Sequence, residues 1–167
     1  MYQQGCHVVY GIHGVCIILE PEIRRVDRKN VEYYVLQPLD QPETRYYVPT
    51  QSAAAVSKMK PVLSMEELDQ LLLAAGNTAT EWIADENARK QFYKTAINSG
   101  DRALLLGMIG LLYRHKKEQL ESGKKFHTSD ENFLKDAERL ISSEVAFVLK
   151  VPVRDACTYI QNALNSQ

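Results

Sequence analysis

Gly5-Cys6-His7-Val8-Val9-Tyr10-Gly11-Ile12-His13-Gly14-Val15-Cys16-Ile17-Ile18-Leu19 decides the fold of the opening part of this chain. Two runs rich in β-branched residues, Val8–Tyr10 and Val15–Leu19, flank a short stretch with a glycine at each end. Each run is too short for a helix. The first stops at Gly11 and the second at Pro21. Apolar β-branched runs bounded in this way read as strands.

The same punctuation continues downstream. Ile23–Val26 runs into the polar cluster Asp27-Arg28-Lys29-Asn30, Val31–Leu36 is broken by Gln37-Pro38, and Thr44–Val48 closes at Pro49. Turns this close together favour antiparallel pairing, because parallel strands need long crossovers. The pattern predicts a small barrel or sandwich. Alternation splits each of the pairs Tyr33/Tyr34 and Tyr46/Tyr47, so one tyrosine of each pair enters the core and one faces out. Outward tyrosines suit a protein partner. The competing use is an aromatic cage for a methylated lysine.

From residue 64 the period becomes helical. Ser64-Met65-Glu66-Glu67 matches a capping box, followed by a stripe of Leu68, Leu71 and Leu72 up to Gly76. A second helix is expected from Thr80 to Asn98, stopping at Ser99-Gly100. Asp101 caps a third, with Leu105, Met108, Ile109 and Leu112 on one face. Thr128-Ser129-Asp130-Glu131 reads as another capping box, and Pro152 opens a short last helix to about Leu164. The β module and the helical module join near residues 51–63.

With 167 residues, the chain has room for one domain or two small ones. Its 45% hydrophobic and 25% charged content is ordinary for a soluble globular protein, which excludes disordered and fibrous classes. No run approaches the ~18 apolar residues of a membrane span. The N-terminus lacks the basic and apolar regions of a secretory signal, and the three cysteines fit a reducing compartment. An intracellular, cytoplasmic protein is therefore expected.

The net charge of −1 hides a segregation. Residues 61–86 carry six acidic side chains and no basic one. Residues 87–127 carry nine basic side chains (Arg89, Lys90, Lys94, Arg102, Arg114, Lys116, Lys117, Lys124, Lys125) against three acidic ones. Lys90 and Lys94 lie one helical turn apart, and Arg114 and Lys117 share a face on the next helix. This is either a solvated face or a phosphate footprint. Trp82, the single tryptophan, stands just before it, as a core anchor or as an exposed wedge.

Catalytic signatures are missing: there is no Gly-x-Ser-x-Gly, no phosphate-cradling glycine loop and no His-Glu-x-x-His. Cys6, His7, His13 and Cys16 are close in sequence, but their spacing is not that of a zinc site, and Cys6 and His7 point to opposite strand faces. Cys157 reads as a half-buried hydrophobe. No metal and no cofactor is expected.

Gly5-x-x-Val8-Val9-Tyr10-Gly11-x-His13-Gly14-Val15, then Tyr33-Tyr34-Val35-Leu36 and Tyr47-Val48-Pro49, resembles the CarD family of bacterial transcription regulators. The same barrel occurs in the polymerase-interacting module of transcription-repair coupling factor. Arg89-Lys90-x-Phe92, Ser99-Gly100-Asp101 and Asp130…Ala137-Glu138-Arg139-Leu140…Glu144 resemble the helical domain of that family. The resemblance implies an α+β protein that is not an enzyme. A Tudor/SH3-like antiparallel β-barrel over residues 1–55 would precede an all-α bundle of about five helices over residues 56–167.

The resemblance implies partners too. The barrel would bind the RNA polymerase β subunit by strand addition at an edge, with Arg24 and Val26, and Arg45 and Tyr47, at the contact. The helical domain would touch promoter DNA near the upstream edge of the melted region and favour the open complex. That DNA contact would be weak and not sequence-specific, with Trp82, Arg89 and Lys90 in the family's wedge region and Lys94, Arg114 and Lys117 as added phosphate contacts. Such a protein would be nucleoid-associated through polymerase. The alternative is an adaptor that binds polymerase or another protein without DNA.

Overall fold

The computed structural model describes residues 2–77 and 81–165, apart from the side chain of residue 77. The chain divides into two compact units between Val62 and Leu63.

The first unit is a six-stranded antiparallel sheet: β1 His7–Tyr10, β2 Val15–Ile18, β3 Glu22–Val26, β4 Lys29–Pro38, β5 Tyr46–Pro49 and β6 Met59–Pro61. A 3₁₀ turn at Gly11–His13 links β1 to β2. It closes at Gly14, whose φ of 72° and ψ of −155° are open only to glycine. The ladder runs β6–β1–β2–β4–β5, and β3 lies along β4 beyond Pro21. Its end strands β5 and β6 are not paired with each other among the described residues. Val8 opposite Cys16, and Tyr34 opposite Val48, fill the core together with Ile18, Leu36 and Met59.

The sheet runs past the expected end at residue 55. A helical turn, α1 Ala53–Val56, brings Met59–Pro61 back to pair with β1. Neither short element carries a periodic signal, so both are set by tertiary pairing.

The second unit holds five helices: α2 Met65–Asn77, α3 Glu86–Ser99, α4 Arg102–Glu121, α5 Thr128–Leu149 and α6 Val153–Asn165. The capping box of α2 forms as expected: Ser64 N–H donates to Glu67 Oε2 at 2.7 Å, and Glu67 N–H donates to Ser64 Oγ at 3.2 Å. Asp101 caps α4 by accepting from Leu104 N–H at 3.0 Å. Leu68, Leu72, Tyr93, Leu106, Ile109, Leu112, Ile141 and Ile160 form the middle of the core.

Two expectations are corrected. α3 begins at Glu86: Thr80 lies outside the described residues, and residues 81–84 are in neither helix nor strand. The start is fixed by Asp85, whose carboxylate accepts from Ala88 N–H at 2.7 Å. The cap of α5 is His127, whose Nδ1 accepts from Ser129 N–H at 3.3 Å, so Thr128 is already the first helical residue and no box forms at Thr128–Glu131.

Candidate interaction surfaces

All five residues of β3 are exposed, and Ile23 is 70% exposed. Asp27 and Arg28 close the β3–β4 hairpin with φ of 48° and 66°, the pattern of a two-residue I′ turn. In such a hairpin the closing pair, Val26 and Lys29, exchanges both ladder bonds. By alternation Arg24 and Glu22 are also bonded to β4, so the N–H groups of Ile23 and Arg25 point away from it. β3 therefore offers two unpaired donors to an incoming strand. At β5, α1 packs alongside.

The outer face of this edge carries Arg24, Val26, Tyr33 and Tyr47. The Arg24 guanidinium lies 3.5 Å from the centre of the Tyr47 ring and bonds Glu22 Oε2 at 3.0 and 3.1 Å. Those bonds to Glu22 hold its pKa above the ordinary value. The Tyr47 ring meets Tyr33 edge to face at 6.4 Å. Tyr34 and Tyr46 pack on the inner side, so each tyrosine pair divides as alternation requires. Arg45 stands apart: it precedes β5 and donates to the Pro42 and Thr44 carbonyls at 2.6 and 2.9 Å. The outward tyrosine expected from the Tyr33/Tyr34 pair is Tyr33; Ile23, on the other face of β3 from Arg24, was not singled out in the sequence.

The basic segment is largely used inside the helical unit. Arg89 is 6% exposed, and its guanidinium is paired with Asp130 at 3.0 and 3.3 Å. It also donates to the Ile83 and Ala84 carbonyls at 2.9 and 3.2 Å. Burial opposes its charge, and the Asp130 bond more than restores it. This corrects its expected place among surface phosphate contacts. Arg102 is held by the buried Glu144 at 2.7 and 2.8 Å, Lys90 by Glu86 one turn earlier, and Lys116 by Glu131 at 3.2 Å. Arg114 is half-buried, with Nη1 3.4 Å from where a side chain on Gly110 would begin. Lys94, Lys117, Lys124 and Lys125 are exposed.

Trp82 is half-buried, in the irregular stretch before α3 rather than on a helix. Its ring stacks on His115 at 3.4 Å and 12°, and the Arg89 guanidinium lies 4.6 Å from its centre. It packs against the edge of the helical core. His115 is kept below its ordinary pKa by burial.

The remaining candidates do not assemble. The four tyrosines weighed for a methyl-lysine cage divide between the faces, Tyr33 and Tyr47 outside and Tyr34 and Tyr46 packed inside, so they wall no common site. Burial pushes the Cys16 thiol up to about 12, far from a thiolate ligand or nucleophile. Among the described residues, no group of three His, Cys, Asp or Glu is placed to hold a metal ion.

The sheet unit is thus a small antiparallel sheet with one open hairpin edge, flanked by a stacked arginine and tyrosines. Residues 2–60 match the family model described as CarD-like/TRCF RID domain, and the first unit is thus a CarD-like RNA-polymerase-interacting domain. That match ends before the helical unit. Comparison with curated proteins gave no significant match. No helix among the described residues is long and apolar enough to cross a membrane.

Proposed function

We propose that this protein is a non-enzymatic transcription regulator that binds the RNA polymerase β subunit by strand addition along β3. The observation that carries the reading is the exposed β3 edge with its stacked Arg24–Tyr47 pair, inside the segment that matches a polymerase-interacting family. Backbone pairing supplies affinity without a pocket, and the Arg24, Val26 and Tyr47 side chains supply selectivity. In this reading the helical unit touches promoter DNA near the upstream edge of the melted region and stabilises the open complex. Lys94 and Lys117 are its phosphate contacts, Lys90 and Arg114 are secondary, and Trp82 lies nearby.

A second reading keeps polymerase and drops DNA. It is favoured by the engagement of Arg89, Arg102, Lys90 and Lys116 with carboxylates of their own unit.

Capture of RNA polymerase core tests the strand. Ile23→Pro removes an outward donor and leaves the ladder to β4 intact, so binding is expected to fall at least about tenfold with thermal unfolding nearly unchanged. Arg24→Pro strikes the inward side and should unfold the hairpin. Undiminished capture by Ile23→Pro would exclude strand addition at β3.

A further inference from the structure

We propose that the outer face of α2 is a docking surface for a basic amphipathic segment of a partner protein, a contact independent of the polymerase and DNA readings above. α2 is apolar around more of its circumference than its own unit covers. Leu68, Leu72 and Ala75 are 0, 3 and 4% exposed and form one narrow stripe against the core. Met65 and Leu73 lie off that stripe on one flank, 45 and 58% exposed. On the other flank, Leu63 and Leu71 join Glu67 and Gln70 to line an open groove of about 310 Å³. The apolar positions of α2 thus extend past the stripe that its own unit buries, between the acidic and polar side chains of its exposed face. A groove of this volume sits at the small end of ligand sites and is too open to enclose a small molecule, but it suits a side chain of a docked helix.

The charges select the partner. Every charged residue between 61 and 86 is acidic, and on α2 these are Glu66, Glu67 and Asp69. Glu67 is fixed by its bonds with Ser64, which hold its carboxyl below the usual range. Asp69 accepts from the Tyr159 hydroxyl at 3.2 Å, which holds the exposed Tyr159 side chain against this helix. A helix with an apolar stripe over Leu63 and Leu71, and Lys or Arg along its margins, satisfies both features. An acidic partner would meet like charge along the whole face.

The test uses the full chain, isotope-labelled for NMR. The probe is a Leu/Lys amphipathic peptide of about 14 residues, long enough to run the ~20 Å of α2. The control is a Leu/Glu peptide of the same pattern. Shift changes are expected for residues 63–73 and around Tyr159 with the basic peptide only. Gln70→Arg and Leu73→Lys, both at exposed positions, should each weaken binding about tenfold without lowering the unfolding temperature. The proposal is overturned by equal binding of the two peptides, by shifts confined to the sheet or to α4, or by no binding. It is equally overturned by self-association that Gln70→Arg abolishes, since that would make a second copy the occupant.

Discussion

The Arg89 guanidinium touches Asp130, two backbone carbonyls and the Trp82 ring at once. Asp130→Asn leaves a buried cation without its counter-charge, so a loss of about 3–5 kcal/mol of stability is expected, read by urea unfolding. Capture of polymerase should change no more than the folded fraction does. The sequence showed the basic run but not this pairing, because Arg89 and Asp130 are 41 residues apart and Asp130 has an equally good local reading as a cap. His115 carries a second consequence. Burial lowers its pKa below 6.5, assisted by Arg89 and opposed by Glu118, at 3.8 Å from Nδ1, and by Asp130. Below pH 6.5 the unfolded chain then binds the proton first, so stability present above that pH is lost as pH falls. His115→Phe keeps a ring on Trp82 and should reduce the drop in stability between about pH 7 and 5 relative to the parent. The comparison must be a difference, since His13 is also lowered, by burial and by Lys58.

At the scale of elements, the β3–β4 hairpin places two ordinary residues in left-handed backbone. Asp27 at φ 48° and Arg28 at φ 66° occupy positions where Asn-Gly is preferred. Replacing the pair by Asn-Gly should raise stability by roughly 1 kcal/mol, seen as a higher unfolding midpoint of the sheet unit. Polymerase capture should be retained, because the outward donors of Ile23 and Arg25 are untouched. Strands and helices with a strong period were legible: β2, β4, α2 and α4 fall where β-branched runs, capping residues and leucine stripes put them. β6 was not, because Met59-Lys60-Pro61 is a strand only through its pairing with Val8–Tyr10. The start of α3 was misplaced because Trp82 and Ile83 continue an apolar period that their backbone does not follow. Their order comes from Arg89 holding the Ile83 and Ala84 carbonyls.

For the whole molecule, the question is how much of the basic excess can reach a phosphate. Nine basic residues, all available, would give a slope of log K against log salt near −8 on duplex DNA, at about 0.9 per phosphate neutralised. The four exposed lysines, Lys94, Lys117, Lys124 and Lys125, allow only about −3.6 by the same rule. The contribution of residues 87–127 to the slope on a promoter-length duplex is therefore expected near the smaller value, independent of sequence. Lys94→Ala with Lys117→Ala should flatten it by up to about 1.8. Lys90→Ala should flatten it less, because that lysine already faces Glu86 and gives up an ion pair to meet a phosphate. Trp82→Ala should cost stability through the lost stack on His115 and the core edge behind it, so its effect on open-complex lifetime must be measured at equal folded fraction. Duplex binding with no salt dependence, together with unchanged open-complex lifetime in the Lys94/Lys117 variant, would leave the helical unit without a DNA role. The polymerase contact would stand through the sheet, and the α2 docking proposal would be untouched.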